Sequence, residues 1–158
     1  MMATTAESFM PGIVEKKYTF TLIPPAVIPT QWDKVSKLLE PAVEHSHGRW
    51  SMPALFDALY TERQQLWLGY TDPDEIKFAL TTEIANYPCT KLLAIQFLGG
   101  DDYSEWSDDM TAMMERFAKD MGCSGVEAVA RFGFWPMFKK RGYKRAYVTY
   151  ELNFQGTH

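Results

Sequence analysis

Few residues of this chain stand in patterns that indicate chemistry. His45 and His47 offer two imidazoles one residue apart, but no third ligand follows at a spacing typical of zinc, which favours a helix-end or loop role. Cys123 has no nearby histidine to activate it, so a buried structural cysteine is the favoured interpretation. Motifs of α/β-hydrolases, P-loops and dinucleotide-binding folds are absent. The residues alone therefore predict no metal site and assign no catalytic residue.

The size and charge of the chain narrow its classes of function. At 158 residues it is long enough for one domain and too short for two ordinary ones. A net charge of -4 argues against direct nucleic-acid binding through a broad basic surface. No segment approaches the about 18 apolar residues of a membrane span, and two cysteines are too few for a disulfide framework. We expect a soluble protein of a reducing cytoplasm.

The apolar pattern predicts the elements that would position a site. Residues 1–16 are expected to be a flexible or partner-bound lead-in, and residues 17–158 a single domain. Within it the pattern predicts, in order, a strand at 17–23, helices at 30–45 and 51–63, strands at 65–70, 76–85 and 91–98, a helix at 104–121, a strand at 126–130, a helix at 134–141 and a final strand. Pro41 is expected to break or kink the first helix. Mixed α/β with a central sheet is the predicted class.

Three segments resemble parts of the GNAT superfamily of acyl-CoA-dependent N-acyltransferases. They are a strand ending in a glycine turn (LLAIQFLGG), a long helix leading to a turn and a strand (AKDMGCSGVEAVA), and a short helix that ends at Gly142 and Tyr143. The resemblance covers most of the chain from about residue 17 onward. It implies a GNAT-like α/β (α+β) fold, with a mixed central sheet of about six strands and helices on both faces.

The segment GCSGVEAVARFGFWPMFKKRGYK is also similar to a group of GNAT-like proteins encoded by tailed bacteriophages. They share a Gly-Cys turn, an arginine before a Gly-aromatic-Trp or Gly-Trp segment, and a Gly-Tyr or Gly-Phe stop. This second resemblance implies a phage origin and a location in the cytoplasm of a bacterial host or in the virion. Its expected partner is a protein, such as another virion protein.

In the GNAT family, a loop of pattern Q/R-x-x-G-x-G/A places backbone amides and a helix N-terminus around the CoA pyrophosphate. The resemblance puts Gln96, Gly99 and Gly100 at the cofactor site, with Asp101 where the family has a small residue. Asp101 and Asp102 are expected to repel a diphosphate, although acids in a first turn also complement a helix dipole without any ligand. Acetyl-CoA is the implied cofactor of an active enzyme.

Acyl transfer also needs a base for the attacking amine and an acid for the leaving thiolate. The family's tyrosine acid falls at Phe138, which has no proton to give. Tyr143 and Tyr147 are the nearby hydroxyls, but neither stands at the family's position. Glu83 on a strand could act as a base, although such a carboxylate is more often a solvated outward residue.

Two hypotheses follow from these departures. The slightly favoured one is a GNAT-fold binding or structural protein without catalysis or cofactor, which predicts a filled gap between the fourth and fifth predicted strands. It also predicts exposed aromatic side chains, for example Trp50, Trp67 or Trp135, that engage another chain. The alternative is an N-acetyltransferase acting on an amine of a small molecule or protein, which predicts an open V-shaped gap lined by free amides of residues 99–103.

Overall fold

The computed structural model describes residues 3–5, 18–72, 75–130 and 132–155. The strands are β1 (Ala3–Thr5), β2 (Thr19–Ile23), β3 (Gln65–Asp72), β4 (Glu75–Asn86), β5 (Lys91–Gly100) and β6 (Gly125–Ala128). The α-helices are α1 (Ile28–Glu44), α2 (Met52–Tyr60), α3 (Tyr103–Asp120) and α4 (Trp135–Lys140). Short 3-10 turns at Pro25–Val27 and Phe132–Phe134 lead into α1 and α4.

The described strands form one six-stranded sheet in the order β1-β2-β3-β4-β5-β6. Neighbouring strands are antiparallel up to β5, and β5 and β6 are parallel. Two parallel neighbours need a long crossover connection, which α3 provides here. The sheet is therefore mixed, which confirms the predicted fold class.

Helices cover both faces of the sheet. On one face, α1 presents Val35 and Leu39 at helical spacing to a core that includes Phe97 of β5. On the other face, α3 buries Trp106 and four methionine or phenylalanine side chains against β4 and β5, and α4 adds to the same core. The methionine-rich stripe of α3, whose apolar residues recur at helical spacing, is thus part of the core.

Three residues of the expected lead-in belong to the sheet. Ala3–Thr5 form β1 and pair with β2, with Ala3 opposite Thr21. The first strand of the domain begins at Thr19, two residues later than predicted. The remaining residues of the lead-in lie outside the described part of the chain.

Two expectations about element ends are corrected. Of the break or kink expected at Pro41, the break does not occur, since α1 continues through Pro41 to Glu44. The proline is exposed, so the carbonyl that loses its amide partner can meet water. The final strand predicted after α4 does not form, since the described residues 143–155 contain no strand. That segment is held by side chains instead, with the Arg145 guanidinium 4.7 Å from the Trp135 ring.

A β-bulge in β5 is centred on Gln96. Thr81 of β4 pairs with Phe97 and Thr82 pairs with Ile95, which leaves Gln96 as the extra residue. The bulge changes the alternation of side chains, because Ile95 lies in the α3-side core whereas Phe97 lies in the α1-side core. The buried Thr81 hydroxyl accepts a hydrogen bond from the Phe97 amide at 3.1 Å. This threonine therefore satisfies a backbone donor inside the bulge.

Candidate functional site

The parallel strands β5 and β6 separate beyond the bulge. Their pairing runs from Leu92 and Gly125 to Ile95 and Ala128, and the Val129 amide then donates to the Ile95 carbonyl at 3.4 Å. β5 continues for five more residues to Gly100, whereas β6 ends. The two strands thus form an open gap, as the N-acetyltransferase hypothesis predicts.

A cleft of about 500 Å³ occupies this gap and is here named the splay cleft. Gln96, Phe97 and Leu98 of β5 line it, together with the turn after α1 and the chain after β6. Trp50 stands against Phe97 with ring centroids 5.7 Å apart, and both rings line the cleft. The wall of the gap thus includes apolar rings, but polar and charged side chains such as Arg49 and Glu151 also line it, and the gap remains accessible from outside.

A second cleft of about 540 Å³, here named the loop cleft, lies where β5 leads into α3. Leu98 and Phe134 line both clefts, so the two are neighbours along the end of β5, and together they are here named the groove. Gly99, Gly100 and Asp101 line the loop cleft. The groove thus joins the start of a helix to a gap between parallel strands.

Gln96 lies at the inner end of this groove. It is half-buried, lines the splay cleft, and has no partner residue in the described registers of β5 with β4 or β6. A bulge residue leaves backbone groups out of the ladder. Gln96 therefore brings backbone hydrogen-bonding capacity to the place where the strands separate.

Gly99 and Gly100 have packing reasons to be glycine. A Cβ on Gly99 would lie 1.8 Å from the Leu38 carbonyl oxygen of α1. Gly100 has a φ of 154°, and a Cβ there would lie 2.5 Å from the Lys77 carbonyl oxygen. Both glycines line the groove, but close contact of the backbone with α1 and β4 is enough to require them.

The amides at the start of α3 are only partly available to a ligand. The Asp101 amide, directly after β5, donates to the Lys77 carbonyl of β4 at 3.4 Å. Asp102 precedes α3 in the left-handed region, with φ 55°, and its side chain makes no capping bond. The first backbone amides of any helix have no acceptor within that helix, and in α3 these include the amides of Tyr103 and Ser104. These amides are the donors that an anion at this end could use.

The acidic residues around this turn differ in their surroundings. Glu105 accepts a hydrogen bond from the Tyr18 hydroxyl at 2.8 Å, and burial together with Glu105 raises the pKa of Tyr18 to about 12. Asp102 lies 3.8 Å from the Lys77 ammonium. Asp101 lines the loop cleft together with Lys37. Asp101 is therefore the acid placed to oppose an anionic ligand, and Lys37 the cation placed to attract one.

Phe138 lies where the family resemblance expects a tyrosine acid. Its side chain is buried, lines the splay cleft, and packs 4.9 Å from the Tyr143 ring. The Tyr143 hydroxyl points elsewhere, because it donates to Glu115 of α3 at 3.3 Å. Burial, and then Glu115, raise the pKa of Tyr143 well above its usual range. Tyr143 thus helps to join α3 to the end of α4.

Glu83 shares a row across the sheet with another carboxylate. It pairs with Ala94 of β5, which pairs with Glu127 of β6. Glu127 accepts a hydrogen bond from the Tyr87 hydroxyl at 2.6 Å, and that bond is the main cause that raises the pKa of Tyr87 to about 12. Glu83 is half-buried and does not line either cleft described above.

Two residues of the splay cleft were assigned only a loop role from the sequence. His45 follows α1, and His47 adopts the left-handed region with φ 57°; both line the splay cleft. No sequence pattern could reveal this, because the turn after α1 reaches β5 only through the packing of α1 on the sheet. In the described part of the chain, no three His, Cys, Asp or Glu side chains are grouped to hold a metal ion.

The aromatic side chains expected to face outward are mostly packed. Trp67 is buried and its indole N–H donates to the Thr82 hydroxyl at 3.1 Å. Trp50 and Trp135 are half-buried, and each contacts another side chain. The most exposed aromatic rings of the described residues lie instead in the C-terminal segment, at Tyr147, Tyr150 and Phe154.

Comparison with known proteins supports this geometry at the level of fold. No family model matches the sequence, and no curated protein sequence matches it. A predicted acetyltransferase of Clostridium acetobutylicum, in a crystal structure with acetyl-CoA, is similar with a TM-score of 0.65 and 14% identity, over 87% of this chain and 97% of that one. The chain has the GNAT acetyltransferase fold.

Other GNAT-fold structures agree. A Trypanosoma brucei acetyltransferase gives a TM-score of 0.62 at 11% identity, over 87% of this chain and 99% of that one. Glucosamine-6-phosphate N-acetyltransferase of Arabidopsis thaliana gives 0.61 at 12% identity, over 88% and 99%. Identities this low carry the fold and leave the activity open. Separately, no helix in the described residues combines the length and apolar character needed to cross a bilayer.

Proposed function

We propose that the groove binds an acyl-CoA thioester and that the protein transfers the acyl group to an amine. The open splay cleft carries this proposal, because a protein that kept the fold only as a scaffold would be expected to fill the gap. The groove also extends from the splay cleft to the first-turn amides of α3. An elongated ligand with an anionic group at one end and an acyl group at the other suits that shape.

The residues present fit such a ligand with one exception. Apolar side chains, among them Phe97, Leu98 and Phe138, line part of the splay cleft, where an acyl group and a pantetheine arm would lie. Lys37 and the amides of Tyr103 and Ser104 suit a diphosphate, whereas Asp101 opposes it. Two unit charges about 4 Å apart repel by roughly 1 kcal/mol in water and roughly 4 kcal/mol at an effective dielectric of about 20. Because Asp101 is exposed, the lower figure applies, and affinity falls by about fivefold.

The chemistry needs a proton acceptor more than a proton donor. A bound acyl-CoA would supply a thioester whose thiolate leaves readily, since thiols ionise near pH 8.5. The lack of a hydroxyl at Phe138 therefore slows transfer, by up to the roughly 10²–10⁴-fold that an acid contributes, without preventing it. His45 and His47 line the splay cleft, so an imidazole is the base that we assign to the attacking amine.

Binding is tested by calorimetry with acetyl-CoA and a pair of variants at one position. Gly133 lines the loop cleft, and a Cβ there meets nothing within 4 Å. Gly133→Glu should therefore close the groove with a bulky acid while the fold is kept, and Gly133→Ala is the matched control. We expect binding to the wild type and to Gly133→Ala, and loss of binding in Gly133→Glu. Absence of binding by the wild type at millimolar acetyl-CoA would end the proposal.

A second pair of variants tests whether the charge of Asp101 weakens binding of the anionic ligand. Asp101→Asn should bind acetyl-CoA about fivefold more tightly, because one repulsion at the groove is removed. Asp120→Asn removes an equal charge at the far end of α3 and should leave the affinity unchanged. An equal gain in both variants would mean that net charge, rather than the position of Asp101, governs binding.

A second candidate function is a binding or structural role without catalysis. Phe138 at the expected acid position and the exposed aromatic rings of the C-terminal segment favour it. The similarity to bacteriophage proteins extends this candidate to a component that contacts other virion proteins. A transfer assay with acetyl-CoA and a panel of amines distinguishes the candidates, because the second predicts no acetylated product even where acetyl-CoA binds.

A further inference from the structure

The turn between α1 and α2 presents a guanidinium to the splay cleft. His47 and Gly48 in this turn both lie in the left-handed region, with φ 57° and 78°. The Ser46 hydroxyl accepts a hydrogen bond from the Trp50 amide at 3.1 Å, and the Arg49 amide donates to the Ser46 carbonyl at 3.2 Å. Hydrogen bonds therefore fix the backbone around Arg49, whose side chain lines the splay cleft.

The Arg49 guanidinium holds a carboxylate of the chain itself. Its Nη1 lies 2.6 Å from Oε1 of Glu151, in the chain after α4, and Nη1 also donates to the Ser46 carbonyl at 3.4 Å. A guanidinium offers five N–H donors in a planar fork that matches the two oxygens of a carboxylate. Glu151 thus shows that a carboxylate can reach Arg49 beside the splay cleft.

This ion pair is open enough to be exchanged for another. The side chains of Arg49 and Glu151 are 50% and 33% exposed. Displacing an exposed partner of this kind costs a competing carboxylate at most about fivefold in affinity. Glu151 also belongs to residues 143–155, which form no strand in the described structure. No sheet pairing therefore holds Glu151 against the cleft.

The other residues of the splay cleft suit the rest of a small zwitterionic ligand. Among the described residues that line it, His45, His47 and Arg49 are basic, and Glu151 is the single acid. The aromatic rings that also line the cleft can contact an apolar side chain. A ligand with a carboxylate, a neighbouring amine and an apolar group matches the guanidinium, the imidazoles and the rings in turn.

We propose that the amine acceptor is an α-amino acid with an apolar side chain, whose carboxylate replaces Glu151 at Arg49. One carbon separates the two groups of an α-amino acid, so a carboxylate at Arg49 keeps the amine in the cleft that His45 and His47 line. Arg49 then sets acceptor specificity, and Glu151 is an internal competitor.

The transfer itself rests on the proposed function. The amine nitrogen bonds to the acyl carbon as the carbon–sulfur bond of the thioester breaks, its extra proton passes to an imidazole, and the thiolate leaves. Recognition of the carboxylate needs no acetyl-CoA, because Arg49 is in place in the chain alone. Binding of the acceptor can therefore be tested separately from catalysis.

Calorimetry without acetyl-CoA tests this recognition with phenylalanine and phenethylamine, which differ only in the carboxylate. Glu151→Gln removes the competitor and should bind phenylalanine about tenfold more tightly than phenethylamine, the lower range for a hydrogen bond between charged groups. In the wild type, competition by Glu151 should reduce this preference to about twofold or more. Arg49→Gln should abolish it. Both variants break the same ion pair, so a purely structural pair would give equal changes in the two.

Arg63→Gln is the matched control. Arg63 pairs with Asp57 at 2.6 Å, and neither residue lines either cleft. The variant therefore removes an equal charge and an ion pair of equal length, and it should keep the wild-type preference. Equal binding of the two ligands by Glu151→Gln, or a preference that survives in Arg49→Gln, overturns the proposal.

An acetyl-transfer assay separates this inference from the proposed function. We expect acetylation of phenylalanine at a higher kcat/KM than phenethylamine, and a higher KM for phenylalanine in Arg49→Gln. If both amines are acetylated equally well, the proposed function stands and the role of Arg49 is wrong. If phenylalanine binds as expected but acetyl-CoA does not, recognition of the carboxylate stands and the proposed function fails.

Discussion

One buried hydroxyl accepts a backbone hydrogen bond inside the bulge beside the splay cleft, which gives a sharp prediction about stability. Thr81 is fully buried and accepts a hydrogen bond from the Phe97 amide at 3.1 Å. In Thr81→Val a methyl group replaces the hydroxyl with little change of shape, so the Phe97 amide is left buried without this acceptor. An unsatisfied buried donor costs about 1–3 kcal/mol. For a chain of this size, each kcal/mol lowers the melting temperature by roughly 2–4 °C.

A matched control is Thr111→Val in α3. Thr111 is also fully buried, but its hydroxyl donates to the carbonyls of Ser107 and Asp108, at 2.8 and 3.0 Å. Helix carbonyls keep their amide partners when such a side chain is removed, and valine and threonine have similar helix propensities. We therefore expect a change of less than about 0.5 kcal/mol in Thr111→Val.

Urea denaturation measures both variants, with ΔG of unfolding extrapolated at an unchanged slope. Because Gln96 and the splay cleft depend on the same bulge, Thr81→Val should also weaken acetyl-CoA binding, whereas Thr111→Val should not. Equal losses of stability in the two variants would refute the reasoning. That result would mean that burial of the side chain, rather than its hydrogen bond to the bulge, sets the cost.

Three further predictions concern packing and pH. Gln64 is buried, and its side-chain amide has no partner in the described part of the chain, so Gln64→Leu should raise the melting temperature by removing a desolvation cost of about 1–3 kcal/mol. Gly99→Ala should lower the free energy of unfolding by about 1–3 kcal/mol or more, because its Cβ would overlap the Leu38 carbonyl, and a variant as stable as the wild type would contradict this contact. Arg141 lowers the pKa of Glu115 in the folded protein. The ion pair between them therefore stabilises the fold fully above the unfolded pKa of glutamate, near 4.3, and this stabilisation is lost as pH falls through the lower folded pKa. Urea titrations from pH 5 downward should therefore show a shallower loss of stability in Glu115→Gln than in the wild type.

Much of the fold could be predicted because local patterns agree with the final packing. The apolar stripe of α3 and the runs of aromatic and branched residues in β3, β4 and β5 specify elements that the structure confirms, with the middle of each of these strands buried on both faces. The break expected at Pro41 was wrong because packing of α1 on the sheet outweighs one lost hydrogen bond at an exposed position. The final strand was wrong for the opposite reason. Local residue pattern favours a strand there, but a strand also needs a paired neighbour, and the described residues 143–155 pair with none.

In the candidate site, too, some features can be predicted from the sequence and others are decided by packing. The order of glycines and acids after β5 can be read directly, and it indicates that Asp101 stands beside a helix N-terminus. It does not reveal that Gly99 contacts the backbone of α1, which gives that glycine a packing role independent of any ligand. Nor does it place His45 and His47 at the splay cleft, since they lie about fifty residues before Gln96 in the chain.

The sequence by itself determined the order of the elements from β2 to α4, the mixed α/β class and the absence of a tyrosine at position 138, because these depend on local periodicity and residue identity. Only the tertiary structure decided that the gap between β5 and β6 is open and that Gln96 occupies a bulge. It also decided that residues 144–152 are exposed and form no strand. These features arise from strand register and from contacts between distant elements, which no local pattern encodes.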